Sequence, residues 1–544
     1  MDWTGVTIGQ ALRRSAEIWP DDDFVVGMGQ RITYRDFDAQ VDSMAKGLLG
    51  LGVGRGDHVA CWLTNSPAWL LTWFACCRIG ATVVSINTRY KVSEVEYILA
   101  QSDAKVLVAM PEYWNIDYLG MIREMAPGFE DATPGRMDIA GLPELRAVVL
   151  WQDVEHPGTM SQSALMTQKH DGVDLAAAEA AVEVEDPVII IYTSGTTGQP
   201  KGAMHCHRVL IEGQNIARGM HMEPGDKVLG HMPLYHVAGS VATTIPTMQH
   251  GCCLVTMAEW HAGEALDLIE RERIAIMGGI PTHFFDLLAQ PGVEDRDTHC
   301  LKSAWIGGAP VTPAIARKVK STLHFEALQA VYGMTETMGM TTLSEFDAPI
   351  EVTCENKGKI VGDYEVGVFN PATGIQVPDG EDGEIWVRGY LVMLGYYKNP
   401  EATAEEFTDD GYLRTGDLAE MTADGRFLYL QRMGDVLRLG GFLTSPAEIE
   451  NQLIDHDSVA DSQVVGVTTA DGSVRAVGFV ILHDGADFHE DILRQHCLEN
   501  LARFKAPVRI FPLDEFPTTQ SANGTKIQRA ALRRMAEERV NAVT

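Results

Sequence analysis

Between Tyr192 and Gly202 the chain reads YTSGTTGQPKG, directly after an apolar, β-branched run, PVIIIYTS. Gly195 and Gly198 carry no Cβ, so the backbone there can turn tightly and approach a ligand closely. Backbone N–H groups in such a loop can cradle phosphate oxygens. Thr193, Ser194, Thr196 and Thr197 add hydroxyls, and Lys201 adds a cation. The string is not a Gly-Lys-Ser/Thr phosphate loop, because that triplet is missing at the required spacing. Pro200 also disfavours an immediate helix. On glycine and threonine content alone, a polar turn without a ligand explains the segment equally well. A second candidate is VYGMTET, where Tyr332 offers an aromatic face suited to stacking on adenine.

The elements that must position these segments follow from the apolar pattern. HVACWL, ATVVSIN and AKVLVAM read as strands, separated by the buried helix AWLLTWFACCRIG and the helix VSEVEYILAQSD. That βαβαβ rhythm predicts a mainly parallel sheet covered by helices. It resumes after Asp186 with PVIIIYTS, the helix AGEALDLIERER and the strand IAIMGGIP. From about Lys357 to Asp435, Gly-rich turns alternate with short strands (GEIWVRG, GYLRTGDLAEM, GRFLYLQR), which predicts an antiparallel or barrel-like subdomain. Beyond Asp435 a compact α+β segment is expected. Its helix SPAEIENQLID would be capped by Ser445, with Glu448 three residues on.

At 544 residues the chain exceeds what one core usually holds, and two or more domains are expected. The net charge of −32 argues against a nucleic-acid surface. It also requires local basic side chains or backbone N–H groups wherever an anionic substrate is handled. The nine cysteines include no CxxC pair and mostly sit in apolar runs, as small core residues of a reducing compartment. The N-terminus has no secretory apolar stretch, and no apolar run approaches the roughly 20 residues that span a bilayer. The expected setting is the cytoplasm, without a membrane segment.

Further strings stand in a fixed order after the phosphate-type loop. They are PLYH at Pro233–His236, GGAP at Gly307–Pro310, YGMTET at Tyr332–Thr337, YLRTGDLA at Tyr412–Ala419, QRMGDVLRLGG at Gln431–Gly441 and NGTKIQR at Asn523–Arg529. Together they resemble the adenylate-forming superfamily, which includes acyl-CoA synthetases, aryl-CoA ligases, peptide-synthetase adenylation domains and firefly luciferase. The resemblance covers nearly the whole chain.

The resemblance implies an α/β fold. A large N-terminal domain (1–434) would contain two sheet-helix subdomains and a distorted β-barrel. A small mobile α+β domain (435–544) would follow, with Asp435 as hinge. It implies an acid–CoA ligase using ATP, Mg²⁺ and coenzyme A: a carboxylic acid is first activated as an acyl-adenylate, then passed to CoA. The loop residues Thr193, Ser194, Gly195, Thr196, Thr197, Gly198 and Lys201 would hold the nucleotide. Gly308, Ala309, Pro310, Val331, Tyr332, Gly333, Met334 and Thr335 would join them, with Tyr332 on adenine and Thr335 at the α-phosphate. Glu336, with Thr193, would serve Mg²⁺, a hard ion that takes few protein ligands. Asp417 would accept both ribose hydroxyls, and Arg432 would reach the nucleotide.

Attack of a carboxylate on the α-phosphate brings two anions together, and a positioned cation lowers that barrier. Lys526, in NGTKIQR, is the expected catalytic cation, and His236 would gate the acyl pocket and thioester access. Val237, Ser240, Ile306, Gly333, Met338 and Met340 are the other expected pocket residues. Arg438, Gly440 and Gly441 would meet CoA. His205 and His207 are read as surface or packing residues, not metal ligands.

The small domain departs from the common pattern. Many relatives carry Lys where this chain has Gly434 and Gly where it has Gln431, and some aryl-CoA ligases have Lys where it has Gly440. Acetyl-CoA synthetases place Trp where this chain has Gly333, so an acid larger than acetate is expected: medium-chain or branched aliphatic, or aryl. Three rival readings remain: a stand-alone adenylation enzyme loading a carrier protein, a luciferase-like oxygenase, and a catalytically silent binding protein. A second copy of the chain is the macromolecular partner kept open.

Overall fold

The computed structural model describes the chain apart from residues 1, 152–155, 169–171, 194–199, 309–310, 312, 356, 434–436, 440–441, 445, 469–473, 502, 522–523 and 542–544. The side chains of 357, 431, 438, 442–443, 519–521, 524–526 and 541 also lie outside the description. Two compact units divide the chain. The first is Met1–Val366 with Val387–Leu413 and Gly425–Phe427; the second is Gly367–Trp386, Arg414–Asp424 and Leu428–Thr544.

The first unit holds two sheets. In one, the neighbours run Gly395–Tyr396, Lys201–Cys206, Pro187–Thr193, Thr82–Ser85, His58–Trp62, Ala104–Ala109, Ala147–Leu150 and Thr159–Ser161. The three strands expected from the βαβαβ pattern are adjacent and parallel. Their near-continuous Val, Ala and Leu runs are those of strands covered on both faces. Between them Pro67–Arg78 is buried along its whole length, with Ser66 capping the amide of Trp69 and Pro67 in the first turn. Arg78, fully enclosed, pairs with Asp38 and Asp42 at 2.5 Å each and donates to the carbonyl of Gly9 at 3.2 Å. It thereby ties three helices together, and removing one partner of such a pair costs about 3–5 kcal/mol.

The second sheet of this unit carries Ser303–Gly307 and Ala327–Tyr332 in parallel. Ile276–Gly279, Lys227–Gly230 and Cys253–Thr256 continue it, also in parallel. The hairpin Asp23–Gly27 and Gln30–Thr33 joins its far edge: Val25 and Val26 pair in parallel with Leu254 and Val255. All nine cysteines are unpaired, and all but Cys300 are buried. Burial raises the Cys76 and Cys61 thiols, as suits small core residues.

In the second unit the strands Glu365–Phe369, Asp382–Arg388, Leu413–Met421 and Phe427–Arg432 neighbour one another in that order. They were expected to be antiparallel or barrel-like; they stand side by side in one sheet order, and no closed barrel is present among the described residues. The C-terminal α+β segment has Val474–Leu482 at its centre, antiparallel to Val459–Thr468 and parallel to Arg509–Pro512. Pro446–Ile454 and Glu490–Asn500 pack through Ile449, Leu453 and Leu493. Arg529–Asn541 packs through Leu532 and Ala536. The expected cap Ser445 lies outside the described residues. Among those residues no helix is long and apolar enough to cross a membrane.

Candidate active site

Three expected site segments sit at the carboxyl ends of strands in the first unit. Thr193 ends Pro187–Thr193, Gly307 ends Ser303–Gly307, and Tyr332 ends Ala327–Tyr332. Ligands of open α/β sheets bind in crevices at such ends. Gly307 pairs with Val331, and a Cβ on Gly307 would lie 2.4 Å from the Val331 side chain. Gly308 follows with φ +85°, a left-handed conformation suited to glycine. Gly308, Val331 and Tyr332 are therefore brought together, as the sequence suggests.

Past Tyr332 the chain makes a tight turn, Thr335–Thr337, with Thr335 and Glu336 each 7% exposed. The turn is pinned by the other sheet. His205, on Lys201–Cys206, places Nε2 2.7 Å from the Thr335 carbonyl oxygen. Burial drives the His205 pKa down to about 4, so the ring is neutral and Nε2–H donates. His207 is buried too, and its Nδ1 accepts from the amide of Ile8 at 2.9 Å. Packing, not the surface, is the place of both histidines.

Glu336 is held from the segment before helix Pro400–Glu406. The Met393 amide donates to its carbonyl oxygen at 2.8 Å, and the Tyr396 hydroxyl donates to carboxylate Oε1 at 2.9 Å. Lys201 lies over the same Tyr396 ring, its Nζ 5.0 Å from the centroid and 3.5 Å from Glu406 Oε1. Thr193 faces Lys201 across the strand pair and donates to its carbonyl at 3.4 Å. Contacts thus run from Thr193 through Lys201 and Tyr396 to Glu336. A buried carboxylate is a hard oxygen donor, the kind of ligand that Mg²⁺ takes.

The expected acyl-pocket residues divide. Val237, Ser240, Met338 and Met340 are buried. They gather where Gly339, at φ +92°, brings its backbone so close that a Cβ would lie 3.0 Å from Val237 Cγ2. His236 precedes this wall and its Nδ1 accepts from the Ala238 amide at 3.3 Å. The helical stretch behind it widens into a π-turn at Ser240–Thr244, where the Thr244 hydroxyl reaches the Gly239 carbonyl at 2.9 Å. Pro246, which lacks an amide donor, stands just beyond. Ile306 lies in the hydrophobic core with Phe284, Val311 and Leu328. At Gly333 a Cβ would lie 2.4 Å from the Gly339 carbonyl oxygen and 2.8 Å from the Met340 amide. The close passage of that backbone demands glycine, so an open pocket does not follow from the missing side chain.

The second unit carries Asp417 and Arg432. Asp417 is 4% exposed, and Arg432 Nε lies 3.2 Å from its Oδ1. Arg432 also donates to the Thr415 carbonyl at 2.5 Å. Gly416, at φ +67°, forms the turn between them. Its amide donates to Glu384 Oε1 at 2.9 Å, while Trp386 Nε1 holds the other Glu384 oxygen at 2.8 Å. Lys526 is on strand Gly524–Ile527, paired with Thr519; its side chain lies outside the description. Arg529, at the end of the same motif, pairs with the buried Glu450 at 3.0 Å. Arg438 is on strand Leu437–Leu439, its side chain likewise outside. Ser194, Gly195, Thr196, Thr197, Gly198, Ala309, Pro310, Asp435, Gly440 and Gly441 lie outside the described residues.

Sequence reasoning missed Tyr396, Glu406 and the contact of His205. The GYYKNPEATAEE string that carries the first two has a Pro400 helix start as its one local signal, and nothing in it points to Glu336.

The first unit thus carries polar groups at its strand ends, and the second carries a buried carboxylate of its own. The model for the AMP-binding enzyme family matches residues 12–397, and that for the AMP-binding enzyme C-terminal domain matches 448–523. YngI of Bacillus subtilis (strain 168) is 32% identical over 98% of both chains. The mitochondrial medium-chain acyl-CoA ligase ACSF2 of Homo sapiens is 31% identical over 98% of this chain and 88% of its own. The solved anthranilate CoA ligase AuaEII, in complex with anthranoyl-AMP, superposes with a TM-score of 0.83 at 25% identity, over 99% of this chain and 98% of that one. The chain belongs to the AMP-binding enzymes, the adenylate-forming superfamily. Within that superfamily it is an AMP-forming acyl-CoA ligase.

Proposed function

We propose that the enzyme activates a medium-chain or branched aliphatic carboxylic acid. The carboxylate attacks the α-phosphate of ATP, pyrophosphate leaves, and the thiol of CoA then displaces AMP from the acyl carbon. The observation that carries the aliphatic reading is the buried apolar wall of Val237, Met338 and Met340 beside Ser240. The human medium-chain ligase, similar over 98% of this chain, supports it. A second reading, an aryl acid, is favoured by the likeness to the anthranilate ligase at a TM-score of 0.83.

In this reading Tyr332 stacks on adenine beside Gly308, Ala309 and Pro310, while the loop from Thr193 to Gly198 and Lys201 hold the phosphates, with Thr335 at the α-phosphate. Asp417 takes the ribose hydroxyls, and Arg432, beside it, reaches the nucleotide. Glu336 and Thr193 would hold Mg²⁺, which when bound offsets the phosphate charge. Lys526 supplies the cation at the carboxylate and α-phosphate in the first half-reaction. The domain 435–544 turns about Asp435, so that Arg438, Gly440 and Gly441 serve CoA in the second, with His236 gating the way.

The test is a panel of acids from acetate to dodecanoate, with branched and aryl members, assayed for CoA-dependent release of AMP and pyrophosphate. Highest kcat/KM among acids of about six to ten carbons supports the aliphatic reading; a preference for benzoate or anthranilate replaces it with the aryl one. Lys526→Ala, run alongside, should lower adenylate formation by about 10²–10³-fold. It should spare thioester formation from preformed acyl-adenylate, and equal loss of both steps would remove Lys526 from the proposed role.

A further inference from the structure

Tyr396 is 6% exposed and touches both charged groups of the phosphate site. Its backbone is fixed on two sides. Gly395 and Tyr396 pair antiparallel with Met204 and Ala203, next to Lys201. On the other side the Tyr396 amide donates to the Thr403 hydroxyl at 2.9 Å. Gly395, at φ +134°, approaches the same threonine so closely that a Cβ would lie 3.0 Å from Thr403 Cγ2. Helix Pro400–Glu406, capped by Asn399, therefore locks the ring in place and also carries Glu406, the ion-pair partner of Lys201.

We infer that Tyr396 is a positioning residue for the adenylation half-reaction: its hydroxyl orients the Glu336 carboxylate and its ring seats the Lys201 ammonium. The inference rests on the reading of Glu336 as the carboxylate that serves Mg²⁺. The phenol engages Oε1, and Oε2 accepts no hydrogen bond among the described residues. One oxygen is thus fixed and the other is left to a cation. A neutral donor does this without cancelling the carboxylate charge, as an arginine or lysine would. The ring face attracts the Lys201 ammonium by its quadrupole, so one side chain sets an acidic and a basic group at a constant separation. Tyr396→Phe keeps the ring and removes only the hydroxyl, so the two functions separate.

The experiment measures binding and half-reactions on the full-length enzyme. For Tyr396→Phe, the Mg²⁺ concentration that half-saturates ATP–pyrophosphate exchange should rise about tenfold, the scale of losing one hydrogen bond to a charged group. Calorimetric ATP affinity should fall by a similar factor with Mg²⁺ present and stay unchanged in EDTA. AMP binding, melting temperature and thioester formation from preformed acyl-adenylate should stay at wild-type values. Tyr396→Leu should add an Mg²⁺-independent loss of pyrophosphate affinity, because Lys201 loses its seat. Glu336→Gln is the control: if it leaves the Mg²⁺ dependence unchanged, the reading of Glu336 fails and the inference falls with it. If Glu336→Gln shifts that dependence and Tyr396→Phe does not, the inference alone is overturned. Equal weakening of AMP and Mg²⁺–ATP binding in Tyr396→Phe, with a lowered melting temperature, would also overturn it by assigning Tyr396 to the fold.

Discussion

Glu336 in the first unit and Asp417 in the second are carboxylates of similar burial, 7% and 4% exposed, yet their partners differ in kind. Glu336 accepts from the neutral hydroxyl of Tyr396, whereas Asp417 faces the guanidinium of Arg432 at 3.2 Å. The first arrangement fixes a carboxylate and leaves its charge uncompensated, which suits a cation. The second sets a cation against the carboxylate and balances its charge. What a buried carboxylate can serve is decided by the charge of its neighbour, not by the depth of its burial. A third case sharpens this. Glu212 also accepts from a tyrosine, Tyr390, at 3.1 Å, but it is fully enclosed, and its Oε1 has no hydrogen-bond partner among the described residues. Burial drives its pKa up to about 8, so it holds its proton at neutral pH.

The comparison breaks most visibly at Glu336. Glu336→Gln should lower pyrophosphate exchange by about 10²-fold or more at fixed Mg²⁺, with part of the loss recovered at high Mg²⁺. A loss that Mg²⁺ leaves untouched would deny Glu336 a cationic partner. Asp417→Asn should act more mildly and on binding. The KM for ATP should rise about tenfold, with little change in kcat or in Mg²⁺ dependence, the mark of a lost hydrogen bond to a charged group. Arg432 is half exposed, so its unpaired charge is screened and stability should change little.

Glu212→Gln should have the smallest effect on catalysis and a clear one on stability. The folded carboxyl keeps its proton up to about pH 8, whereas the unfolded group releases it near 4.5. The folded state therefore binds the extra proton between these values. The stabilisation is full below about 4.5 and is lost as pH rises through about 8. Between pH 6 and 8 the wild type should lose on the order of 1 kcal/mol per pH unit relative to the Gln variant. Parallel melting curves for the two proteins across that range would show that Glu212 is ionised throughout.

The strand runs HVACWL, ATVVSIN, AKVLVAM and PVIIIYTS were legible because parallel, doubly covered strands demand unbroken apolar stretches. Tyr332 and Gly308 were singled out through the resemblance carried by their motifs, and the fold sets those motifs at adjoining strand ends. Tyr396 was not, because a tyrosine in a turn before a helix carries no spacing signal, and its hydroxyl meets Glu336 only through pairing of Gly395–Tyr396 with a strand nearly 200 residues earlier. The same non-local logic hid the hairpin Asp23–Thr33, whose partner begins at Cys253. Gly333 shows a misleading cue: its lack of a side chain suggests space, whereas the Gly339 backbone fills that direction. Gly-rich turns likewise signalled short strands between Lys357 and Asp435 without showing the order in which they neighbour one another.

The most direct test of the chemistry follows the oxygen of the acid. An ¹⁸O-labelled carboxylate should be incubated with enzyme, ATP, Mg²⁺ and CoA, and the nucleotide product weighed by mass spectrometry. Attack of the acid on the α-phosphate places one labelled oxygen between carbon and phosphorus. Displacement by CoA then breaks the bond from that oxygen to carbon. AMP should therefore carry one ¹⁸O, and pyrophosphate none. Unlabelled AMP, or label in inorganic phosphate with release of ADP, would contradict the account.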